Sequence, residues 1–302
     1  MKDDWLAVDW GSTSVRAWRI GSDGRILQRK CFAFGASRLK QGEAAQKFVN
    51  CIRPELQAES LPALLCGMVG SNRGWITVPY SPCPASVEDL RRGLFRVMSE
   101  PDVDIVPGLV CRNGLGTDVA RGEETQVVGW MSEASDRQQG THVLCLPGTH
   151  SKWVLVKNGY VEKFVTAMSG ELFDLLSSQS LLSAPEQPFS AEAFASGITG
   201  AGDGDALSAR LFGVRAKVAA GMMMATDQRS YLSGLLIGAE VASLPKLLGP
   251  PLGSVVHLIG TPLLTDLYAR ALEKFGIDSV SHDGAALVLA GLSNLRARKL
   301  SP

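Results

Sequence analysis

The chain has 302 residues, a formal net charge of zero at pH 7, and 45% hydrophobic against 20% charged residues. This composition is typical of a globular protein, and the length suits two domains of about 150 residues each. The balanced charge argues against nucleic acid or an anionic membrane surface as the main partner, although a few arginines could still bind a small acidic substrate.

Several other protein classes are disfavoured by the sequence. The six cysteines include no C-x-x-C pair and the four histidines show no metal-ligand spacing, so neither disulfides nor a zinc site are predicted. No apolar run approaches the ~20 residues that a membrane span needs, and the first residues lack the form of a signal peptide. We therefore expect a cytoplasmic protein with neither a membrane nor a nucleic-acid partner.

The first third of the chain alternates predicted strands and helices. Strands are predicted at Leu6–Asp9, Val15–Ile20 and Arg25–Arg29, joined by the turn Gly11–Ser14 and by an Asp-Gly hairpin turn. EAAQKFVNCI and Val87–Met98 have the apolar periodicity of helices, whereas ALLCGMVG and VDIVPGLV are typical of buried strands.

The same layout returns further along the chain. After a predicted helix at Gly122–Ala134, HVLCLPGTHSKWVLVKNGYVEKFV again predicts three strands, and its first turn again consists of small and hydroxyl-bearing residues. Ser169–Leu248 is mainly helical in pattern, and a strand–turn–helix unit and a closing helix follow. The repeat predicts an α/β fold of two similar domains, each a mixed sheet flanked by helices, which face each other across a cleft. We place the domains at 1–115 and 116–302, with a helical insertion at about 175–235.

The two first turns have the composition of phosphate-binding loops. Gly11, Ser12 and Thr13 form one turn, and Gly148, Thr149 and His150 occupy the equivalent place in the second. Such turns offer backbone N–H groups and hydroxyls to an anion, so two of them facing each other could clamp a triphosphate. Asp9, at the end of the first strand, could hold Mg²⁺.

Small residues recur near the end of the chain. Gly260 and Thr261 open one helix, and Gly284 opens the last. Positions without bulky side chains allow a planar base to lie against the backbone. Together with the two phosphate turns, these steps predict a nucleotide-binding cleft.

In this order the motifs resemble those of the sugar-kinase, heat-shock-protein 70 and actin superfamily of ATPases. VDWGSTSVRAW looks like its first phosphate motif, LPGTHSKW like the second, and LIGTPLLTDLYARAL like the adenosine motif. Within the superfamily, DWGST, GMVGSNRGW, RGEETQ, PGTHSKW, SGELFDLL and LSGLLIGAEVAS resemble the 2-dehydro-3-deoxygalactonokinase family. The resemblance implies two actin-like, ribonuclease H-like domains, the cofactors ATP and Mg²⁺, and phosphorylation of 2-dehydro-3-deoxy-D-galactonate to its 6-phosphate in galactonate catabolism. It leaves the oligomeric state open, with a homodimer as one expectation.

The resemblance also implies a catalytic base before the second phosphate motif. Many related sugar kinases have an aspartate there, whereas this chain has RGEETQ. Sliding the relatives' pattern along the chain favours Glu124, with Glu123 as the alternative and Asp118 as a weaker candidate. The structural alternative is that the two glutamates only stabilise a helix N-terminus.

The sugar acid is expected to bind the segment GMVGSNRGW. Its glycines allow close approach, Ser71 and Asn72 could bond sugar hydroxyls, and Trp75 is either a contact or part of the core. The substrate carboxylate calls for an arginine with its bidentate fork. The sequence leaves four candidates open, which are Arg16, Arg38, Arg73 and Arg121.

Two competing interpretations remain. Gly200–Asp203, with the sequence GAGD, resembles the anion-hole and base motif of ribokinase-like enzymes, which include kinases of keto-deoxy sugar acids. Alternatively, the chain could be a non-catalytic member of the actin-like superfamily that binds nucleotide or sugar as a regulator. A P-loop kinase is excluded, because the chain lacks G-x-x-x-x-G-K-[ST].

Overall fold

Strands and helices alternate through the computed structural model, which describes residues 4–40, 42–100, 102–249 and 255–297. The strands are β1 (Trp5–Trp10), β2 (Val15–Ile20), β3 (Ile26–Phe32), β4 (Ala63–Gly67), β5 (Ser81–Pro82), β6 (Ala85–Ser86), β7 (Phe95–Arg96), β8 (Val103–Ile105), β9 (Leu109–Asn113), β10 (Gly116–Ala120), β11 (Thr141–Leu146), β12 (Ser151–Lys157), β13 (Tyr160–Ala167), β14 (Val256–Gly260) and β15 (Ser279–Asp283).

The α-helices are α1 (Glu43–Lys47), α2 (Arg53–Glu55), α3 (Val87–Arg92), α4 (Glu123–Ser132), α5 (Ser169–Gln179), α6 (Ala191–Ala201), α7 (Leu207–Ala219), α8 (Gln228–Leu247), α9 (Pro262–Lys274) and α10 (Gly284–Ala297). A π-helical turn joins α1 to α2, and short 3₁₀ turns lie at Ala36–Arg38, Met68–Gly70, Ser135–Gln138 and Ala225–Asp227. Within the described ranges, no helix combines the length and apolar character that crossing a bilayer requires.

The first sheet has the order β3-β2-β1-β4-β8-β7. Strands β1 to β3 form an antiparallel meander. On its other side, β1 pairs in parallel with β4, which pairs in parallel with β8. Along β1, Leu6 and Val8 face one hydrophobic core while Trp5 and Ala7 face another. Both faces of this sheet are therefore covered, as expected for a sheet with parallel strands.

The second sheet repeats this plan in the order β15-β14-β11-β12-β13-β6. Strands β11 to β13 form the meander, and β11 pairs in parallel with β14, which pairs in parallel with β15. A small sheet, β10-β9-β5, accompanies the two large ones. The prediction of an α/β fold with two similar mixed sheets is confirmed.

Helices α4 and α10 lie between the two sheets. Their apolar residues share one core with side chains of β1, β4, β11 and β12. The two helices touch through their backbones, because a Cβ on Gly129 would lie 1.9 Å from the carbonyl oxygen of Leu287 and one on Gly291 would lie 2.0 Å from that of Thr125. This close packing fixes the N-termini of both helices at the same edge of the sheets.

Two elements depart from the sequence prediction. The helix predicted at Val87–Met98 ends at Arg92, since Gly93 follows and Phe95–Arg96 pairs with β8 instead. Strand Ala85–Ser86 pairs with β13 of the second sheet, so the chain crosses to that sheet before residue 115. The division into 1–115 and 116–302, with an insertion at about 175–235, stays a prediction.

Candidate active site

A polar cleft of about 530 Å³ is lined from both sheets and from the N-termini of α4, α9 and α10. It brings together many of the predicted site residues: Ser12, Arg16, Glu123, Gly148, Thr149, His150, Gly260, Thr261 and Gly284. Parallel strands β11, β14 and β15 all end here, and such carboxyl ends are where α/β sheets bind ligands. The turns that the sequence separates by well over a hundred residues therefore border one cavity.

The first phosphate turn is held from behind by a neighbouring segment. Gly11 N–H donates to Ser14 O at 2.9 Å, and Ser37 N–H donates to Ser12 O at 2.8 Å. A Cβ on Gly35 would lie 2.4 Å from Ser12 backbone atoms, so this support requires glycine. Ser12 and Thr13 are exposed, which leaves their hydroxyls available to an anion, but only Ser12 lines the cleft.

Asp9 pairs with Arg16 directly across β1 and β2. The Arg16 Nε donates to Asp9 Oδ2 at 2.9 Å, and its Nη2 donates to the same oxygen. Arg16 is thereby engaged by Asp9, which makes it a weaker candidate for the substrate carboxylate. Among the described residues, the partner of the other oxygen, Asp9 Oδ1, is the Cys66 thiol at 3.9 Å, so this oxygen could still serve a cation.

Asp9 fits a magnesium ion only as a single oxygen ligand beside nucleotide phosphates, and Asp9 itself lines neither cavity. Mg²⁺ prefers oxygen ligands and keeps several waters, so one carboxylate oxygen from the protein is sufficient. Among the described residues, no group of three or more His, Cys, Asp or Glu side chains is arranged to hold a metal ion by itself.

The second phosphate turn is the β11–β12 hairpin turn, and helix α5 begins on top of it. Glu171 N–H donates to Thr149 O at 3.0 Å, and the His150 ring contacts the Glu171 carboxylate. A Cβ on Gly170 would lie 2.4 Å from Gly148 O, so helix and turn are in backbone contact. Gly148 has open space around its Cα, as a loop that approaches a phosphate requires.

The two late glycines meet at the far wall of the cleft. A Cβ on Gly284 would lie 3.2 Å from the Cα of Gly260, and Gln126 Nε2 donates to Gly284 O at 3.1 Å. Thr261 and Pro262 begin α9, while Asp283 Oδ1 accepts the Ala285 N–H at 2.8 Å and caps α10.

A second cavity, of about 480 Å³, adjoins Gly148 and Thr149 and lies among α5, α8 and α9. Its walls combine apolar and polar side chains, among them Phe173, Phe189, Leu236, Leu267, Asp174, Glu186, Arg229 and Ser233. An apolar cavity with a few polar groups suits a nucleoside. Most of these residues lie in segments that the resemblance already singled out, namely SGELFDLL, LSGLLIGAEVAS and the adenosine motif LIGTPLLTDLYARAL, but none was named as a site residue. Phe189 and Glu186, on the connecting segment before α6, lie outside those segments.

The adjacent acids at the start of α4 occupy different environments. Glu123 lines the cleft; its Oε2 accepts the Arg121 N–H at 2.9 Å and its Oε1 lies 3.6 Å from Lys152 Nζ. Glu124 is only 1% exposed, and its oxygens accept from Gly122 N–H at 2.6 Å and from the Thr125 hydroxyl at 3.0 Å. Burial, together with the neighbouring Glu123 charge, raises the pKa of Glu124 to about 8. The geometry therefore favours Glu123 as the acid that reaches a ligand.

Asp118, the weaker candidate, is committed to a structural contact. Its carboxylate accepts from both the N–H and the hydroxyl of Thr166, each at 2.7 Å. These bonds tie β10 to β13. Asp118 lines neither cavity.

The segment expected to bind the sugar forms a tight turn after β4. The Ser71 hydroxyl donates to Met68 O at 2.7 Å, and Trp75 packs against Phe48 with ring centroids 5.4 Å apart. Asn72 and Arg73 are exposed. None of these residues lines either cavity, so the structure does not bring the predicted sugar contacts together with the phosphate turns.

The remaining arginine candidates differ in how many donors they have free. Arg38 is exposed and donates to Ala33 O at 3.0 Å. Arg121 stacks on the Tyr80 ring at 4.2 Å and donates to Val78 O at 2.7 Å. Its Nε and Nη1 are buried without a partner among the described residues. Unsatisfied buried donors are costly, which favours Arg121 as a carboxylate ligand.

The GAGD motif is placed unfavourably for ribokinase-like chemistry. Gly200 and Ala201 end α6, so the segment follows the C-terminus of a helix, whose partial charge is negative. Asp203 is exposed, lies 3.7 Å from Arg210, and lines neither cavity. An anion hole requires a helix N-terminus, so the structure argues against this interpretation.

Comparisons with known proteins agree with the motifs. A family model described as 2-keto-3-deoxy-galactonokinase matches residues 9–295. A Rhizobium meliloti (strain 1021) protein named probable 2-dehydro-3-deoxygalactonokinase is 38% identical over 303 residues, covering 96% of this chain and 95% of that protein. The 2-dehydro-3-deoxygalactonokinase of Escherichia coli (strain K12) is 34% identical, covering 96% and 97%.

A solved structure extends the likeness to three dimensions. The crystal structure of a Sinorhizobium meliloti protein assigned to the same activity has a TM-score of 0.86 and 37% identity, and covers 99% of each chain. The fold is therefore shared over the whole length and not only at the motifs. On these matches, the chain belongs to the 2-keto-3-deoxy-galactonokinase family, a family of sugar-acid kinases.

Proposed function

We propose that the protein transfers the γ-phosphoryl group of ATP to the 6-hydroxyl of 2-dehydro-3-deoxy-D-galactonate, in the cytoplasmic breakdown of galactonate. The family and the names of its relatives support the substrate. The observation that carries the reaction type is one cleft lined by Ser12, Gly148, Thr149 and Glu123. Such a cleft can hold a triphosphate beside an acid, which is what phosphoryl transfer requires.

The nucleotide is proposed to lie across both cavities. Ser12 and the turn Gly148–His150 hold phosphate oxygens, and the base and ribose extend into the cavity between α8 and α9. Asp9 would hold Mg²⁺, which neutralises phosphate charge when it is bound. Gly148 and Thr149 line both cavities, so the nucleotide would pass from one to the other at this turn.

The sugar acid is proposed to approach from the first-sheet side. Arg121 offers its two unpartnered nitrogens to the carboxylate, although it lines neither cavity before closure. Ser71 and Asn72 remain the proposed hydroxyl contacts, and Arg73 remains an alternative for the carboxylate. Closure of the sheets around both ligands would bring this segment to the cleft and exclude water, which otherwise competes as the phosphoryl acceptor. A glutamate of the Glu123–Glu124 pair accepts the hydroxyl proton, and Glu123 is the one that lines the cleft.

The test is a coupled assay of ADP release by the purified protein with each acid removed in turn. Wild type should release ADP only when the keto-deoxy sugar acid is present. Glu123→Gln should lose at least about 10²-fold in kcat, the usual contribution of a positioned base, with ADP affinity within about threefold of wild type. If Glu124→Gln shows the large loss and Glu123→Gln does not, the base assignment is off by one residue.

Two controls address the other interpretations. Asp203→Asn should be nearly silent, because Asp203 is exposed and far from both cavities. An inactive Asp203→Asn enzyme would support the ribokinase-like mechanism.

ATP binding without sugar-dependent release of ADP would instead support a nucleotide-binding regulator. Light scattering of the same preparation tests the expected homodimer.

A further inference from the structure

Lys152 is a buried lysine beside the second phosphate turn. It is the second residue of β12 and is 5% exposed. Lysine is almost never buried to this extent without a charged partner, because its ammonium group loses strong hydration. Lys152 belongs to the segment LPGTHSKW, but the family resemblance gives it no role, so its burial requires an explanation.

The direction of the side chain follows from strand alternation. Lys152 shares its face of β12 with Val154 and Val156, which pack in the core around α4 and α10, whereas Trp153 packs in the core on the other face. Across the hairpin, Lys152 pairs with Leu146, a residue that lines the cleft. The ammonium group therefore lies behind the cleft wall, at the N-terminus of α4.

The acid that the ammonium group reaches is Glu123. Its Oε1 lies 3.6 Å from Lys152 Nζ, while its Oε2 accepts the Arg121 N–H. One carboxylate oxygen is thus fixed by a backbone donor and the other by a charge. Glu124 has only neutral donors, Gly122 N–H and the Thr125 hydroxyl, and is closed off from the cleft.

We propose that Lys152 is a positioning residue that holds the Glu123 carboxylate directed into the cleft, so that Glu123 is the base of this pair. The inference rests on the proposed kinase function. In the step itself, the sugar hydroxyl proton moves to a Glu123 carboxylate oxygen while the hydroxyl oxygen forms a bond to the γ-phosphorus. The bond from that phosphorus to the bridging oxygen breaks, and ADP leaves with the electron pair.

The contacts of the Glu123 carboxylate determine what loss of Lys152 should do. Without the ammonium group, Oε1 loses its ion-pair partner, and the Arg121 N–H still holds Oε2. A carboxylate held at one oxygen can turn away from the reacting hydroxyl, and misplacement of a reacting group slows the chemical step. We therefore expect kcat to fall while KM for the sugar acid changes little.

The test compares kcat and KM for the sugar acid in wild type, Lys152→Met, Lys152→Arg and Lys157→Met. Lys157 is the matched control, because it lies on the same strand and is exposed. Lys152→Met should lose at least about tenfold in kcat, with KM within about threefold of wild type. Lys152→Arg should restore most activity, and Lys157→Met should follow wild type.

A double variant distinguishes loss of positioning from misfolding of Lys152→Met. Lys152→Met/Glu123→Gln removes both charges of the buried pair, and its activity should equal that of Glu123→Gln alone, since Lys152 acts through Glu123. Losses that multiply, an unchanged kcat in Lys152→Met, or a greater than tenfold loss of ADP affinity would each overturn the proposal. A wild-type protein without sugar-dependent ADP release would contradict the proposed function instead.

Discussion

Glu123 and Glu124 are neighbours in the chain, yet at the start of α4 one carboxylate faces the cleft and the other is buried. Glu123 lies beside Lys152 at the cleft, whereas Glu124 is sealed behind it with a pKa of about 8. The segment RGEETQ was correctly predicted to begin a helix with two acidic residues. It did not separate the roles, because the difference comes from a strand about thirty residues further along.

The buried Glu124 carboxyl should make stability depend on pH. Its pKa is raised from an ordinary 4.5 to about 8, so between those values the folded state holds a proton that the unfolded state has lost. Stability then falls as pH rises through this window, by up to ~1.4 kcal/mol per pH unit. Glu124→Gln removes this titration, and it should therefore be more stable than wild type at pH 8 and close to wild type at pH 5.

Urea unfolding at pH 5 and pH 8 checks this expectation. Glu192→Gln, at an exposed glutamate of α6, is the matched control and should show the same pH dependence as wild type. A Glu124→Gln protein with an unchanged difference between the two pH values would show that Glu124 titrates normally in the folded state.

At the scale of elements, the residues of the turns predicted the strands better than side-chain spacing predicted which residues lie together. The Gly-Ser-Thr and Pro-Gly-Thr turns correctly placed both meanders, because a hairpin turn is specified by a few adjacent residues. The four histidines show no spacing in the sequence, but His142, His257 and His282 lie on neighbouring strands around Trp130. Neither that cluster nor the burial of Lys152 could be predicted, because cross-strand register determines both.

The contact between α4 and α10 should be intolerant of even one methyl group. A Cβ on Gly129 would lie 1.9 Å from Leu287 O, so Gly129→Ala must separate two helices at the centre of the molecule. We expect a loss of ~2 kcal/mol or more in unfolding free energy, as for overpacked cores. Gly213→Ala is the control: it lies within α7 with nothing within 4 Å, so it should be neutral or stabilising by ~0.5–1 kcal/mol.

Guanidinium unfolding of the two alanine variants measures this contrast. Kinetic parameters of folded Gly129→Ala should also change, because the same contact sets where α4 presents Glu123. Equal stability of the two variants would mean that the helices are not in backbone contact.

At the scale of the whole molecule, two copies of one sheet plan place their turns on a shared cleft, and a second cavity continues from it between α8 and α9. The cleft followed from the duplication seen in the sequence. The second cavity was not predicted residue by residue, although much of its wall comes from SGELFDLL, LSGLLIGAEVAS and the adenosine motif, because helix packing determines which of their side chains face it. The sugar segment was recognised by resemblance, yet Ser71 and Asn72 do not line the cavities, so its role depends on the proposed closure.

The central claim is that a phosphoryl group passes from ATP to the 6-hydroxyl of the sugar acid. Phosphorus NMR of wild-type protein with ATP, Mg²⁺ and 2-dehydro-3-deoxy-D-galactonate tests it most directly. The account predicts a phosphomonoester signal coupled to the C6 methylene protons, growing in step with ADP and absent from a Glu123→Gln reaction over the same time. ADP accompanied only by inorganic phosphate, or an ester at another carbon, would contradict it.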